Sequence, residues 1–257
     1  MSFQEQLIAF LTIVRKEIKR FMRIWTQTLV PPVITITLYF IIFGNLIGQR
    51  IGTMAGVDYI EFVVPGLIMM SVITSSYTNV VSSFYGAKFQ RFVEEMLVSP
   101  TPNYIILSGF VVGGVARGLG VGLIVTLVAM FFTDLQIHSY PVTLSIVLMT
   151  SVFFAVAGFI NAVYANSFDD ISIVPTFVLT PLIYLGGVFY SMDLLPDFWA
   201  GVSQVNPILY IVNAFRYGLL GITDIDISRA FIMVTVFTLV AYLFSLRLLN
   251  SSKSLRQ

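Results

Sequence analysis

Two kinds of apolar run alternate along this chain. The first kind is long and almost unbroken. A helix needs about 20 mostly apolar residues to cross the hydrocarbon layer of a bilayer. Six stretches meet that need, near residues 26–47, 60–82, 104–132, 142–165, 171–190 and 230–250. They predict six transmembrane helices. Their length and their lack of two-residue alternation argue against a membrane β-barrel. The second stretch is the least apolar, because it carries Ser71, Thr74, Ser75, Ser76, Tyr77, Thr78 and Asn79. That polarity suits a helix packed inside a bundle better than one bathed in lipid.

The second kind of run is periodic or broken. Phe3, Leu7, Phe10, Leu11, Val14, Ile18, Phe21, Met22 and Trp25 recur at helical spacing, while Gln4, Glu5, Arg15, Lys16, Lys19, Arg20 and Arg23 take the opposite face. A helix with an apolar stripe and a basic face lies in the membrane interface; the alternative is an amphipathic helix packed on a soluble domain. Residues 194–220 are apolar but interrupted by Pro196 and Pro207 and dotted with Asp197, Asn206, Asn213 and Arg216. Proline restricts the residue before it and breaks the helix, so two short re-entrant helices dipping into the outer leaflet fit better than a seventh span. Between the second and third spans, Phe89, Phe92, Val93, Met96 and Leu97 form a short stripe flanked by Lys88, Arg91, Glu94 and Glu95, and Pro100 and Pro102 end it. Such a helix docks into a groove on a partner or lies on lipid; its mixed charge favours the protein partner, since lipid-binding faces are usually basic without acids.

Composition sharpens this picture. Of 257 residues, 57% are apolar and 11% charged, against roughly 25% charged in a soluble domain. Mean hydropathy is +0.91. A soluble fold of this size leaves roughly a quarter to a third of its surface exposed and would aggregate. A formal net charge of +1 gives no field for nucleic acid. With no Cys and one His, His138, thiolate and His-based metal centres are excluded. The start MSFQEQLIAF lacks a basic region followed by an apolar run, so a cleaved signal peptide is not expected. Orientation follows from Lys and Arg: with six spans, ten of the fourteen basic residues share the side of the two termini, Arg50, Arg216 and Arg229 lie opposite, and Arg117 lies within a span. Both termini are therefore expected in the cytoplasm. The predicted organisation is an interface helix (1–25), a transmembrane domain (26–250) and a cytoplasmic tail (251–257).

Catalytic constellations are absent. The sequence has no G-x-x-x-x-G-K-[ST] phosphate loop, no H-E-x-x-H and no G-x-S-x-G. The one aspartate pair, Asp169–Asp170, stands before a helix start and reads as a cap, not as the several carboxylates a Mg²⁺-diphosphate site needs. Arg117 is the one intramembrane charge, where burial costs at least about 2.5–3.5 kcal/mol. It stands among Gly113, Gly114, Gly118, Gly120 and Gly122, small residues that admit a neighbouring helix. Either it faces the bundle interior and binds a substrate anion or buried acceptors, or the long third span lets it snorkel to the cytoplasmic interface. A secondary transporter remains the alternative function. It would need ionisable groups in several spans, and only Arg117 qualifies.

The sequence resembles the type-2 ABC-transporter permeases of bacterial exporters. Leu179, Leu182, Leu185, Gly186 and Val188, then Leu195 and Pro196, then Pro207, Ile208, Tyr210 and Arg216 follow that family's spaced pattern without departure. Weaker likenesses are residues 59–67, YIEFVVPGL, and 94–100, EEMLVSP. The resemblance implies an all-α permease in the bacterial inner membrane that moves drugs, polysaccharides or lipid-linked cargo outward. It implies a second permease chain, homo- or heterodimeric, and two copies of an ABC ATPase below. ATP and Mg²⁺ then belong to that partner, with no cofactor in this chain, which is not itself an enzyme. It also implies that the N-terminal helix and the loop helix, with Arg91, Phe92, Glu94 and Glu95, meet the ATPase. Pro207, Tyr210 and Arg216 belong on this basis to an outer gate region, where Arg216 is expected just outside the membrane. Aromatic rings at Tyr39, Phe40, Phe43, Phe177, Tyr184, Phe189 and Tyr190 either line a path or face lipid and pack the bundle.

Overall fold

The computed structural model describes residues 1–251; Lys253 and Arg256, counted above among the cytoplasmic cations, lie outside the described residues. The fold is all-α apart from a two-residue hairpin, β1 (Thr53–Met54) with β2 (Val57–Asp58). Among the described residues five helices are long and apolar enough to cross a membrane: α2 (Trp25–Ile51), α3 (Tyr59–Phe89), α5 (Asn103–Ala129), α6 (Tyr140–Tyr164) and α10 (Ile227–Ser251). The remaining helices are α1 (Phe3–Arg23), α4 (Phe92–Val98), α7 (Asp170–Tyr184), α8 (Asp197–Val205) and α9 (Pro207–Leu220).

The polar second stretch becomes α3, the most buried of the long helices. Several of its hydroxyls bond within the helix, Ser71 Oγ donating to Leu67 O at 3.1 Å and Thr74 Oγ1 to Met70 O at 2.8 Å. A side chain that bonds its own backbone can be packed against without leaving an unmet group. α5, α6 and α9 surround α3. Close approach comes from small residues: a methyl group at Gly158 of α6 would strike the Tyr77 carbonyl of α3, and one at Gly114 of α5 would lie 2.6 Å from Val80. Apolar residues of α10 and α2 face outward, as a lipid-facing helix requires.

The start of α1 and the end of α10 lie at one end of the bundle, called here the inner end. Tyr104 OH donates to Gln6 Oε1 at 2.8 Å, and Asn103 Nδ2 to Asn250 Oδ1 at 2.6 Å, which brings together the starts of α1 and α5 and the end of α10. Lys88 Nζ donates to the Val163 and Ala165 carbonyls at 2.7 and 2.9 Å, closing the last turn of α6 with a cation. At the outer end, His138 N and Ser139 N bond to the carbonyls of Leu219 and Gly218.

One predicted span differs from expectation. In place of a continuous helix over 171–190, α7 stops at Tyr184 and the chain continues to Tyr190 as a turn, with Gly187 at φ +71°. Pro175 and Pro181 lack N–H donors, and a wide π-type turn covers Pro175–Leu179. The segment still connects the two ends. Phe168 packs edge-on against Tyr85 of α3 at 5.0 Å, and Tyr59 OH, at the outer start of α3, donates to Phe189 O at 3.1 Å.

α1 divides its surface three ways. Ile13, Glu17 and Phe21 turn toward the bundle, Leu7, Leu11, Ile18, Met22 and Trp25 stay exposed on one flank, and Lys16, Lys19 and Arg23 hold the other. A Ser2–Glu5 capping box starts the helix. It runs beside the first half of α5, where a methyl group at Gly109 would meet Ile13 and one at Gly113 would meet Glu17.

Candidate functional site

Three groups of predicted residues occupy three levels of the bundle. At the inner end, α3 runs on to Phe89, beyond the span the hydropathy predicts. The chain then turns through Arg91, whose φ is +62°, before α4 begins. Lys88 and Phe89, read from sequence as part of the loop helix, therefore belong to α3. The left-handed residue reverses direction, which lays α4 back over the bundle so that Val93 is buried while Met96 and Leu97 pack on the core. That leaves Phe92 48% and Val98 81% exposed, with Arg91 and Glu95 also outward and Glu94 half-buried. Phe89 and Phe168, 5.1 Å apart and both exposed, extend this patch. Asp170 behind it accepts from Asn166 N at 2.8 Å and Ser167 N at 3.1 Å, while its own N–H donates to Ser167 Oγ at 3.1 Å. That reciprocal arrangement is a cap, as expected for one member of the aspartate pair; Asp169 makes no such side-chain bond.

At mid-depth, Arg117 of α5 stands one turn beyond Gly113, on the face that α1 covers. Its Nε is buried with no hydrogen-bond partner among the described residues. One turn before it, at Gly113, Glu17 of α1, wholly buried, and Asn79 of α3 come together, joined through Arg20. Glu17 was invisible to a reading of α1 that looked for charge only on the polar face. The available signal was a carboxylate four residues from both Ile13 and Phe21, inside the apolar arc.

At the outer end, the family-pattern residues converge. Asn206 caps α9, its Oδ1 accepting from Ile208 N at 3.0 Å, and its Nδ2 donates to the Leu182 carbonyl at 2.6 Å near the end of α7. Pro207 opens α9, where its missing N–H costs nothing. Tyr210 OH donates to Gln204 O at 2.8 Å and holds α8 to α9. Arg216, expected just outside the membrane, is fully buried within the protein in α9. Its Nε donates to Phe62 O of α3 at 3.3 Å, its Nη2 to Gly187 O at 2.6 Å, and its guanidinium carbon lies 3.8 Å over the Phe62 ring. Two carbonyls and an aromatic face replace a counter-ion. Asn213 Oδ1 then accepts from Asp224 N, and Asp224 Oδ2 accepts from Ser191 Oγ and Met192 N, both at 3.0 Å. Asn206, Asn213 and Asp224 were not singled out from sequence. An Asn before Pro207 was the readable sign of the cap. Of the aromatic residues, Tyr39, Phe43, Tyr184 and Phe189 form one cluster in which Phe43 stacks on Phe189 at 4.9 Å, while Phe40 packs on Phe132 instead and Phe177 points away from the bundle.

Among the described residues no group of His, Asp and Glu could hold a metal ion. The sequence pattern that describes the ABC-2 type transporter family matches residues 8–220. The inner membrane transport permease YadH of Escherichia coli K12 is 58% identical over 249 residues, 97% of each chain. Nodulation protein J of Rhizobium leguminosarum bv. viciae is 24% identical over 218 residues, 83% of each. Nodulation protein J of Rhizobium meliloti is 24% identical over 216 residues, 83% of this chain and 82% of that one.

Proposed function

Because this chain belongs to the ABC-2 type transporter family of membrane proteins, we propose that it is the permease subunit of an inner-membrane exporter powered by a separate ATPase. It is a membrane subunit and not a catalytic enzyme, and family membership implies an ABC ATPase as its partner. The finer reading has six crossings, with residues 170–190 as the short fifth one, and both termini in the cytoplasm. A second permease chain completes the pathway within the membrane, two ATPase copies bind beneath, and cargo moves outward. This reading takes residues 1–25 as the interface helix, 26–250 as the membrane domain and 251–257 as a cytoplasmic tail.

The observation that carries this reading is the apolar patch at the inner end. Phe89, Phe92, Val98 and Phe168 are exposed beside Arg91 and Glu95, at the end that holds the start of α1 and the end of α10 with Arg247. Apolar surface that faces water calls for a protein cover. α4 is fixed to α3 by a turn and to the core by Val93, so a push on Phe92 is passed to the most buried helix of the bundle. Nucleotide binding drives such a push only by favouring one membrane conformation over another. The chain has no phosphate loop of its own with which to bind the nucleotide.

The test is ATP hydrolysis by the chain co-purified in nanodiscs with an ABC ATPase. The parent complex is expected to hydrolyse ATP, and Phe92→Asp or Glu94→Lys to lose at least about tenfold in rate or to lose the ATPase altogether, since a buried hot-spot aromatic is commonly worth 2 kcal/mol or more. Unchanged hydrolysis and association in both variants would remove α4 from the coupling interface. Transport by the chain without any ATPase would overturn the reading as a whole.

A further inference from the structure

One buried carboxylate is paired with a guanidinium at the place where α1 meets the bundle. Glu17 is 0% exposed. Its Oε2 accepts from Arg20 Nε at 3.3 Å, and its Oε1 has no partner among the described residues. Arg20 is itself tied to α3, its Nη2 donating to both the backbone and side-chain oxygens of Asn79 at 2.9 Å. Across α1 lies α5. Gly113 leaves the space that the Glu17 stem fills, and one turn further Arg117 brings a second guanidinium within electrostatic reach of Arg20. Arg117 Nε is buried and unpartnered. An unmet acceptor on α1 and an unmet donor one turn along the α5 face that α1 packs against thus remain, although buried polar groups are normally satisfied.

Those two vacancies are complementary. If Glu17 turned from Arg20 to Arg117, both would be filled, and Arg20 would keep its two bonds to Asn79. The same atoms therefore support two pairings, and they differ in where α1 stands against α5. The backbone permits such a movement. Ile24, at φ −110° and ψ 36°, is the one break between α1 and α2, bridged by Thr28 Oγ1 donating to the Ile24 carbonyl at 3.0 Å. α1 can pivot about it as a unit while its exposed flanks lose no packing.

We propose that Glu17 and Arg117 are positioning residues forming an alternating ion pair: Glu17 holds Arg20 in the state described here and Arg117 in a second state, so that the place of α1 is registered against α5. This rests on the reading that an ATPase acts at the inner end, where α1 begins. Packed interfaces of this kind switch between discrete arrangements, and an ion pair exchanged in a low-dielectric site supplies the discreteness.

The absence of native cysteine makes two introduced ones unique. Spin labels at Ile8→Cys and Leu127→Cys, both exposed, report the distance from the free part of α1 to the outer half of α5. In the chain alone, in nanodiscs, Arg20→Gln removes the guanidinium that holds Glu17 and leaves that of Arg117 on α5. It is expected to shift the distance distribution by about 2 Å or more, as α1 pivots at Ile24. Adding Arg117→Gln is expected to reverse that shift, and Arg117→Lys to retain it. A distribution that stays at the parent value in Arg20→Gln overturns the alternating pair, whatever becomes of the ATPase. In the complex with the ATPase, a non-hydrolysable ATP analogue is expected to cause the same shift in the parent and none in Glu17→Gln or Arg117→Gln. If the Arg20→Gln shift appears in the chain alone while the analogue does nothing in the parent complex, the pair stands and the ATPase-driven reading falls. Circular dichroism checks that each variant is folded; should Arg117→Gln fail that check, Arg117→Met takes its place.

Discussion

Replacing Arg216 with Met tests whether the outer end is held by one buried cation. The variant keeps roughly the same apolar length and removes the guanidinium. It loses the bonds to the Phe62 and Gly187 carbonyls and the stacking on the Phe62 ring. Phe62 O lies inside α3, where the helix ladder supplies another donor; Gly187 O lies in a turn and is left bare. A buried carbonyl without a donor costs about 1–3 kcal/mol. Desolvation of the guanidinium, which has no carboxylate within ion-pair distance among the described residues, is relieved at the same time and keeps the net loss in that range. The loss acts locally, on the docking of α9 against α3 and on the turn at Gly187. Leu209, fully buried in α9, reports it when replaced by Cys, because the thiol reacts with maleimide only when α9 lifts away. With tenfold for each 1.4 kcal/mol, labelling should accelerate roughly 5- to 150-fold in Arg216→Met. Arg216→Lys should fall between, since one ammonium cannot fork to two carbonyls. Labelling within about twofold of the parent in both variants would refute the claim that Arg216 fastens the re-entrant segment.

Further outcomes follow from single contacts. Lys88→Met removes both donors from the last turn of α6 and should cost about 1–3 kcal/mol, read as a lower thermal midpoint and faster proteolysis between residues 165 and 169. Gly158→Val forces side-chain atoms into the Tyr77 carbonyl; overpacking of about 1–3 kcal/mol or more is expected, visible as a lowered melting temperature in detergent, whereas Gly86→Ala, which meets no neighbour, should melt like the parent. Asn206→Ala removes both the cap of α9 and the donor to Leu182 O, and should destabilise by about 1–2 kcal/mol in the same Leu209→Cys labelling assay.

The membrane class and the central place of α3 were legible in the sequence because both are local properties. Long apolar runs need lipid, and a run studded with Ser and Thr needs protein around it. The broken segment before the last long helix was legible for the same reason, since Pro196 and Pro207 act on their own neighbours. Three features were not legible. The end of α7 at Tyr184 was hidden because Leu185, Gly186, Gly187 and Val188 count as apolar, and hydropathy does not register the positive φ of Gly187. The burial of Arg216 was not legible because Asn and Pro around it suggested a surface, whereas its acceptors come from residues 29 and 154 positions away. Glu17 was passed over because its burial depends on Gly113 of a helix nearly a hundred residues later. Each of these is set by a tertiary partner, which periodicity within one segment cannot report.

The central claim is that this chain moves cargo only with a motor it does not contain. Native mass spectrometry of the complex extracted from its own membrane tests that most directly. Two permease chains with two copies of a phosphate-loop ATPase, the latter released by Phe92→Asp, is the predicted composition. A chain that leaves the membrane alone, or only with further copies of itself, while transport activity persists would contradict the account.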